Sequence, residues 1–230
     1  MRIGNMESKS AIGKRLASVS RVLESEYEVP KREPGDPLDE LVFTILSQNT
    51  NDTNRDRAYE AMRKTFPTWY DVMNAPRVAL EKALKPGGLA RTKSARIQKI
   101  LKSIKEQRDE LNLDYLRYLP AGKVEEALKQ FKGVGPKTAR CVLLFALGRE
   151  AFPIDTHILR ALKRLGVIPP GMTAAQAHEY VPQFVPKGTS YPLHLRLIAH
   201  GKAVCHPRNP ECHRCVVMRY CVYHRMHKDV

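Results

Sequence analysis

The sequence predicts an all-α protein. Apolar residues recur at helical spacing in segment after segment, runs that alternate apolar and polar residues are few, and residues that start and stop helices bound the segments. Ile12, Leu16, Val19 and Leu23 predict a first helix over 8–26, after a loose terminus at 1–7. Prolines and Gly35 punctuate Pro30 to Pro37, which reads as a crossing between two subdomains. Asp36-Pro37 is a cap followed by a first-turn proline, and Leu38, Leu41, Val42, Ile45 and Leu46 form the inward face of the helix it opens. The polar cluster Ser47 to Asp52 ends that helix. Asn51 or Asp52 suits the cap of the next one, over about 53–65, while amides here also pair well with base edges.

Short helical pieces are expected at 69–74 and 76–84, before the break Lys85-Pro86-Gly87-Gly88-Leu89. Leu89, apolar at the tip of a basic glycine-rich loop, reads either as a plug of a local core or as a wedge for a base stack. Over about 92–107, Ile97, Ile100, Leu101 and Ile104 point inward, and Arg91, Lys93, Arg96, Lys99, Lys102 and Lys105 make the opposite, basic face. Helices follow at 112–117 and 121–131, the latter ended by Gly133, and at 136–147, opened by Pro136 and stopped by Gly148. Asp155 caps a helix over 156–166, Thr173 one over 173–185, and Tyr191 to Val204 is the last long one.

The 230 residues, 43% hydrophobic, suffice for one large domain or two small ones. Lys and Arg number 39 against 24 Asp and Glu, a net charge of +15 that calls for a polyanionic partner, nucleic acid first. There is no apolar run of membrane-spanning length and no apolar core near the N-terminus of the kind a secretory signal needs. The expected location is cytoplasmic, associated with the nucleoid.

Gly133-Val134-Gly135-Pro136-Lys137-Thr138 joins two helices through residues that permit tight turning and close approach, a loop type that grips a phosphate through backbone N–H groups. Taken alone it is equally a tight turn between helices. Lys137 falls in the first turn of the new helix, where the positive dipole end works toward the free amine, the nucleophilic form, and a nearby Asp155 would work the other way. Eighteen residues on, Asp155 is a helix cap whose second oxygen is available for proton transfer or for stabilising a sugar cation. Cys205, Cys212, Cys215 and Cys221, separated by six, two and five residues, make a four-thiolate set suited to zinc or to an iron–sulfur cluster. His206, Arg208, His213, Arg214, Arg219, His224, Arg225 and Lys228 rim it with basic groups, and Cys141 reads as a small core residue.

Together, the glycine loop with Lys137, the run Asp155-Thr156-His157-Ile158-Leu159-Arg160, His200-Gly201 and the cysteine spacing resemble the helix-hairpin-helix DNA glycosylase superfamily, and within it the endonuclease III family. The likeness runs from about residue 8 to 228. It implies a six-helix barrel domain at 38–149 and a second domain of 1–37 with 150–230 holding a [4Fe–4S] cluster on the four cysteines, with a DNA-binding cleft between them. It further implies Lys137 as the nucleophile on the sugar of an extruded nucleotide, Asp155 as its helper, and DNA contacts from Gln48, Asn49, Leu89, Gly133, Val134, Gly135 and Thr138. The expected partner is double-stranded damaged DNA, bound by a monomer, with no membrane. One departure stands out: the family usually shows glutamine where an ungapped match places Asn49, with Gln48 just ahead. That leaves room for another lesion, alkylated or mispaired, or for work mainly on abasic sites. A non-catalytic DNA clamp is disfavoured by the presence of both Lys137 and Asp155.

Overall fold

The structure, a computed structural model, describes residues 8–227; the terminus at 1–7 and Lys228 of the basic rim lie outside the described residues. The chain divides into two compact units, one within Met1–Arg32 and Glu150–Val230, the other Glu33–Arg149, so the division falls inside the proline-rich crossing. Every regular element among the described residues is helical.

The Glu33–Arg149 unit begins with α2, Pro37–Leu46, following α1, Lys9–Glu26, of the other unit. The Asp36 carboxylate accepts from the Leu38 and Asp39 N–H groups at 2.7 and 2.8 Å, satisfying donors that the first turn leaves open. Asn51 caps α3, Asp52–Thr65, accepting from Asn54 N–H at 2.9 Å. Then come α4, Trp69–Asn74, α5, Arg77–Leu84, and the long α6, Ala90–Arg108. A single 3₁₀ turn, Asp114–Tyr118, stands where a helix at 112–117 was expected, and α7, Ala121–Lys129, follows. The helix expected over 136–147 changes character part-way. It runs as α8, Pro136–Cys141, and continues as a π-helix, Val142–Ala146, closed by a bond from Leu147 N–H to Val142 C=O at 3.0 Å. The wider turn lets Val142, Leu143, Leu144 and Ala146 all be buried.

In this unit α2 packs against α8 and the π-helix, α3 against α5, and α4 and α5 against α6. Leu41, Ile45, Leu46, Leu84, Ile97, Leu101 and Ile104 are fully buried; each such side chain contributes about 1.5–3 kcal/mol of burial.

The basic face of α6 is not uniformly solvated. Lys93 is only 2% exposed, and its ammonium donates to Leu46 C=O at 2.7 Å and Gly87 C=O at 2.8 Å. Those are orphan carbonyls at the end of α2 and in the turn before Leu89, so one buried cation caps two loops at once. Periodicity placed Lys93 outside because a helical wheel carries no information about carbonyls arriving from other elements. Lys93→Met keeps most of the stem and removes the donor. It is expected to lower stability by about 2 kcal/mol in a urea titration; an unchanged midpoint would show that the two carbonyls do not depend on this ammonium.

The other unit comprises α1, α9 at Thr156–Arg164, α10 at Ala174–Tyr180 with a 3₁₀ continuation Val181–Phe184, α11 at Ser190–Ala203 and the short α12 at Val222–Met226. The helix expected over 173–185 is thus two pieces, because Pro182 lacks the N–H that an unbroken α-helix would use. Leu16, Val19 and Leu23 of α1, Ile158 and Leu162 of α9, and Leu193 and Leu197 of α11 form one buried core, which Val217 and Cys221 of the cysteine segment join. No helix among the described residues is long and apolar enough to cross a membrane.

Candidate functional site

In the Glu33–Arg149 unit, α7 and α8 form the hairpin. Glu125 and Arg140, both largely buried, join the two helices through an ion pair at 2.8 Å. Gly133 adopts φ +88°, a conformation that favours glycine, and a β-carbon there would lie 2.4 Å from Arg96 Nε and displace that side chain. Val134 and Thr138 are 6% and 3% exposed. Their side chains are buried, so the phosphate grip expected of this loop falls to its backbone N–H groups. Lys137 lies in the first turn of α8 and is partly buried.

Glu40 of α2, which sequence reading passed over, is partly buried, and the Thr44 hydroxyl donates to its Oε1 at 2.8 Å. Burial pushes its carboxyl up to about 7, against the opposing pull of the Thr44 hydrogen bond and the Lys137 charge. A carboxyl that changes charge near neutral pH therefore lies within electrostatic reach of the hairpin lysine. The only signal in the sequence was an acid flanked by apolar helical positions. The carboxyl is held above its ordinary value of 4.5, so the stability it contributes is complete below about pH 4.5 and is lost as pH rises through about 7. At roughly 1.4 kcal/mol per pH unit this amounts to about 3 kcal/mol. In urea titrations at pH 5 and pH 8, Glu40→Gln should show a flatter pH dependence than the unsubstituted protein; parallel profiles would exclude this origin.

The loop after α2 places its two amides differently. Gln48 is tied down, its Oε1 accepting from Arg96 Nη1 at 2.6 Å. Asn49 is exposed with φ +51°, a left-handed conformation that asparagine tolerates. Leu89, also left-handed at φ +50°, is 54% exposed and so does not plug a core.

In the other unit, Asp155 caps α9, with Oδ1 accepting from Ile158 N–H at 2.8 Å. The strand of chain before it is fixed by two buried histidines. His178 Nε2 accepts from Ile154 N–H at 3.0 Å, which leaves the proton on Nδ1 to donate to Ala174 C=O at 2.8 Å. His194 Nδ1 donates to Pro153 C=O at 3.0 Å. Behind the cap, Arg160 donates to Gly201 C=O and Cys205 C=O, both at 2.8 Å, lashing α9 to the cysteine segment. Gly201 is required because a β-carbon there would lie 2.8 Å from His157 Cβ.

Cys205, Cys212, Cys215 and Cys221 line one pocket with Arg164, His200, Val204, Pro210, Val217 and Tyr223. Among the described residues no three His, Cys, Asp or Glu side chains converge closely enough to hold a single metal ion. Four thiols lining one pocket are a donor set that suits a tetrahedral zinc or an iron–sulfur cluster. Burial pushes the Cys215 thiol up to about 11 and the Cys221 thiol up as well, and a bound metal cation would favour their thiolates. Donors for ligand sulfurs are in place: Arg164 Nη1 lies 3.2 Å from Cys205 Sγ, and His224 N–H 3.5 Å from Cys221 Sγ. His200, its basicity pushed down to about 4 by burial and by the Arg160 charge, is neutral. The Tyr27 hydroxyl reaches its Nδ1 at 3.1 Å, and its Nε2 lies 3.7 Å from Cys215 Sγ.

Residues 42–187 match the family model described as HhH-GPD superfamily base excision DNA repair protein, which is more than half of the chain. The chain belongs to this superfamily. Residues 205–221, the whole cysteine segment, match the iron–sulfur binding domain of endonuclease III. The HhH-GPD chain is 30% identical to endonuclease III of Thermotoga maritima over 203 residues, covering 86% of this chain and 91% of that protein. It is 41% identical over 165 residues to the Arabidopsis thaliana protein named "Putative DNA glycosylase At3g47830", covering 72% of this chain but only 56% of that relative. The fold is that of a non-covalent endonuclease III–DNA complex, with a TM-score of 0.80, 24% identity and coverage of 98% of this chain and 100% of that one. The match of the cysteine segment gives this chain a [4Fe–4S] cluster, and the four cysteines that share the pocket are the candidate ligands.

Proposed function

We propose that this HhH-GPD chain is a bifunctional DNA glycosylase and abasic-site lyase that removes oxidised pyrimidines from double-stranded DNA. The observation that carries the reading is Lys137 in the first turn of the helix that leaves the glycine hairpin, in a chain of this superfamily. The hairpin backbone grips a phosphate without reading sequence, and the +15 net charge supplies the general attraction to DNA. A damaged nucleotide leaves the stack at a cost of about a few kcal/mol, least where pairing is already weak.

The Lys137 amine attacks the sugar C1′, and the bond from C1′ to the base nitrogen breaks with its electrons leaving on the base. Loss of a proton from the nitrogen and opening of the sugar ring give the Schiff base. Removal of a C2′ proton then expels the 3′ phosphate by cleavage of the C3′–O bond, and water releases the lysine. Asp155, with one oxygen committed to the α9 cap, uses its carboxylate to accept and return the protons of these steps. Exposed Leu89 fills the gap in the stack, and Asn49 meets the unpaired base. The cluster supplies a rigid, basic-rimmed loop and takes no part in the hydrolysis. The working form is a monomer in the cytoplasm, on the nucleoid.

A panel of duplexes carrying single lesions tests the substrate class. Release of thymine glycol and dihydrouracil is expected. Release of an alkylated or mispaired base with neither of these would overturn the assignment to oxidised pyrimidines.

A further inference from the structure

Two side chains one turn apart on α6 hold three loops. Lys93 takes the carbonyls of Leu46 and Gly87. Arg96 donates to Gln48 Oε1 at 2.6 Å, and its side chain lies against Gly133 so closely that a β-carbon would meet Nε, Cζ and Cδ at 2.4, 2.7 and 3.0 Å. The segments held are the loop carrying Gln48 and Asn49, the loop carrying Leu89, and the hairpin preceding Lys137. Beyond those loops, Asn49 and Leu89 both sit exposed in the left-handed region, which puts each at the turning point of its loop.

We propose that Arg96 is a positioning residue that locks Gln48 against the hairpin and thereby presents Asn49, not Gln48, as the amide offered to the unpaired base. This rests on the glycosylase reading above. The Gln48 carbonyl oxygen is already engaged in a short charge-assisted hydrogen bond, so swinging this amide into DNA would require breaking that bond. Asn49 has one methylene less than glutamine and is carried outward by its backbone conformation instead of its side-chain length. The same guanidinium touches the hairpin, so displacement of the phosphate grip and displacement of the amide are one event. Opposite-base preference therefore depends on a residue that need not touch the base.

The test joins hydrogen–deuterium exchange of residues 47–51 with the rate of borohydride trapping on an abasic duplex. The proteins are the unsubstituted chain, Arg96→Ala, Arg96→Lys, Gln48→Ala, Asn49→Ala and the Arg96→Ala/Gln48→Ala double variant. Arg96→Ala and Gln48→Ala should each speed exchange over 47–51 and slow trapping roughly 10- to 100-fold, the scale of a small misplacement near a reacting centre. The double variant should be no worse than either single one, because both remove the same contact. Arg96→Lys should not rescue, since an ammonium lacks the planar fork. Asn49→Ala should slow trapping without changing exchange. Unchanged exchange in Arg96→Ala, or additive losses in the double variant, would overturn the proposal. Failure of the unsubstituted protein to trap would instead overturn the Schiff-base reading, and the exchange data would still decide whether the Arg96 contact orders the loop.

Discussion

Lys137→Ala is expected to abolish base release and strand nicking, with a loss of at least ~10³-fold, while affinity for an abasic duplex falls only slightly. The two effects separate because they rest on different atoms. The proposed phosphate grip rests on the backbone of Gly133 to Gly135, and the side chains of Val134 and Thr138 are buried and untouched by the substitution. The hairpin helices stay joined by Glu125 and Arg140. Only the amine is removed, and an amine of this kind has no substitute in forming a carbon–nitrogen bond to C1′. Single-turnover kinetics with a matched binding titration checks this. A variant that still nicks abasic DNA at a comparable rate would move the nucleophile elsewhere.

Cys215→Ser is expected to strip the cluster and unfold the C-terminal segment. From Cys205 to Met226 the chain has only 3₁₀ turns and the five-residue α12, and few of its residues reach the core, Val217 and Cys221 among them. A segment so short of apolar burial is held by its metal, and structural metal binding is worth on the order of 10 kcal/mol of folding free energy. Arg160 and Arg164 make their bonds to Cys205, His206 and Pro207 carbonyls only when that segment is in place. The loss should reach α9 and the cap at Asp155. The checks are iron content, the broad visible absorption of the cluster and exchange protection of α9. Zinc with no iron in anaerobically purified protein would contradict the cluster.

The helical frame was legible in the sequence because capping and periodicity are local. Asp36-Pro37, Asn51 and Asp155 cap where residue chemistry places a cap, and the apolar faces of α1, α2 and α6 are the buried ones. The cysteine segment was equally legible, since its chemistry lies in residue type and spacing, and Lys137 and Asp155 stand out in the same way as the residues proposed for catalysis. What the sequence hid was non-local. Lys93 and Arg96 read as a solvated basic face until the carbonyls of Leu46 and Gly87 and the amide of Gln48 arrive from other elements. Glu40 gave no sign of its weakened acidity because burial is not written in the local sequence. The change from α to π after Cys141 accompanies burial of four of its five residues, which propensity alone does not encode. The division of labour between Gln48 and Asn49 required the loop geometry, where a left-handed residue and a hydrogen bond set neighbouring amides to different tasks.

Lys137 is proposed to form a Schiff base with DNA. Borohydride added during reaction of the cluster-loaded protein with an abasic duplex reduces such an intermediate to a stable amine. Mass spectrometry of the digested adduct should then find one modified peptide, cross-linked at Lys137, and none in Lys137→Ala. No covalent adduct, or an adduct on another lysine that survives Lys137→Ala, would contradict it.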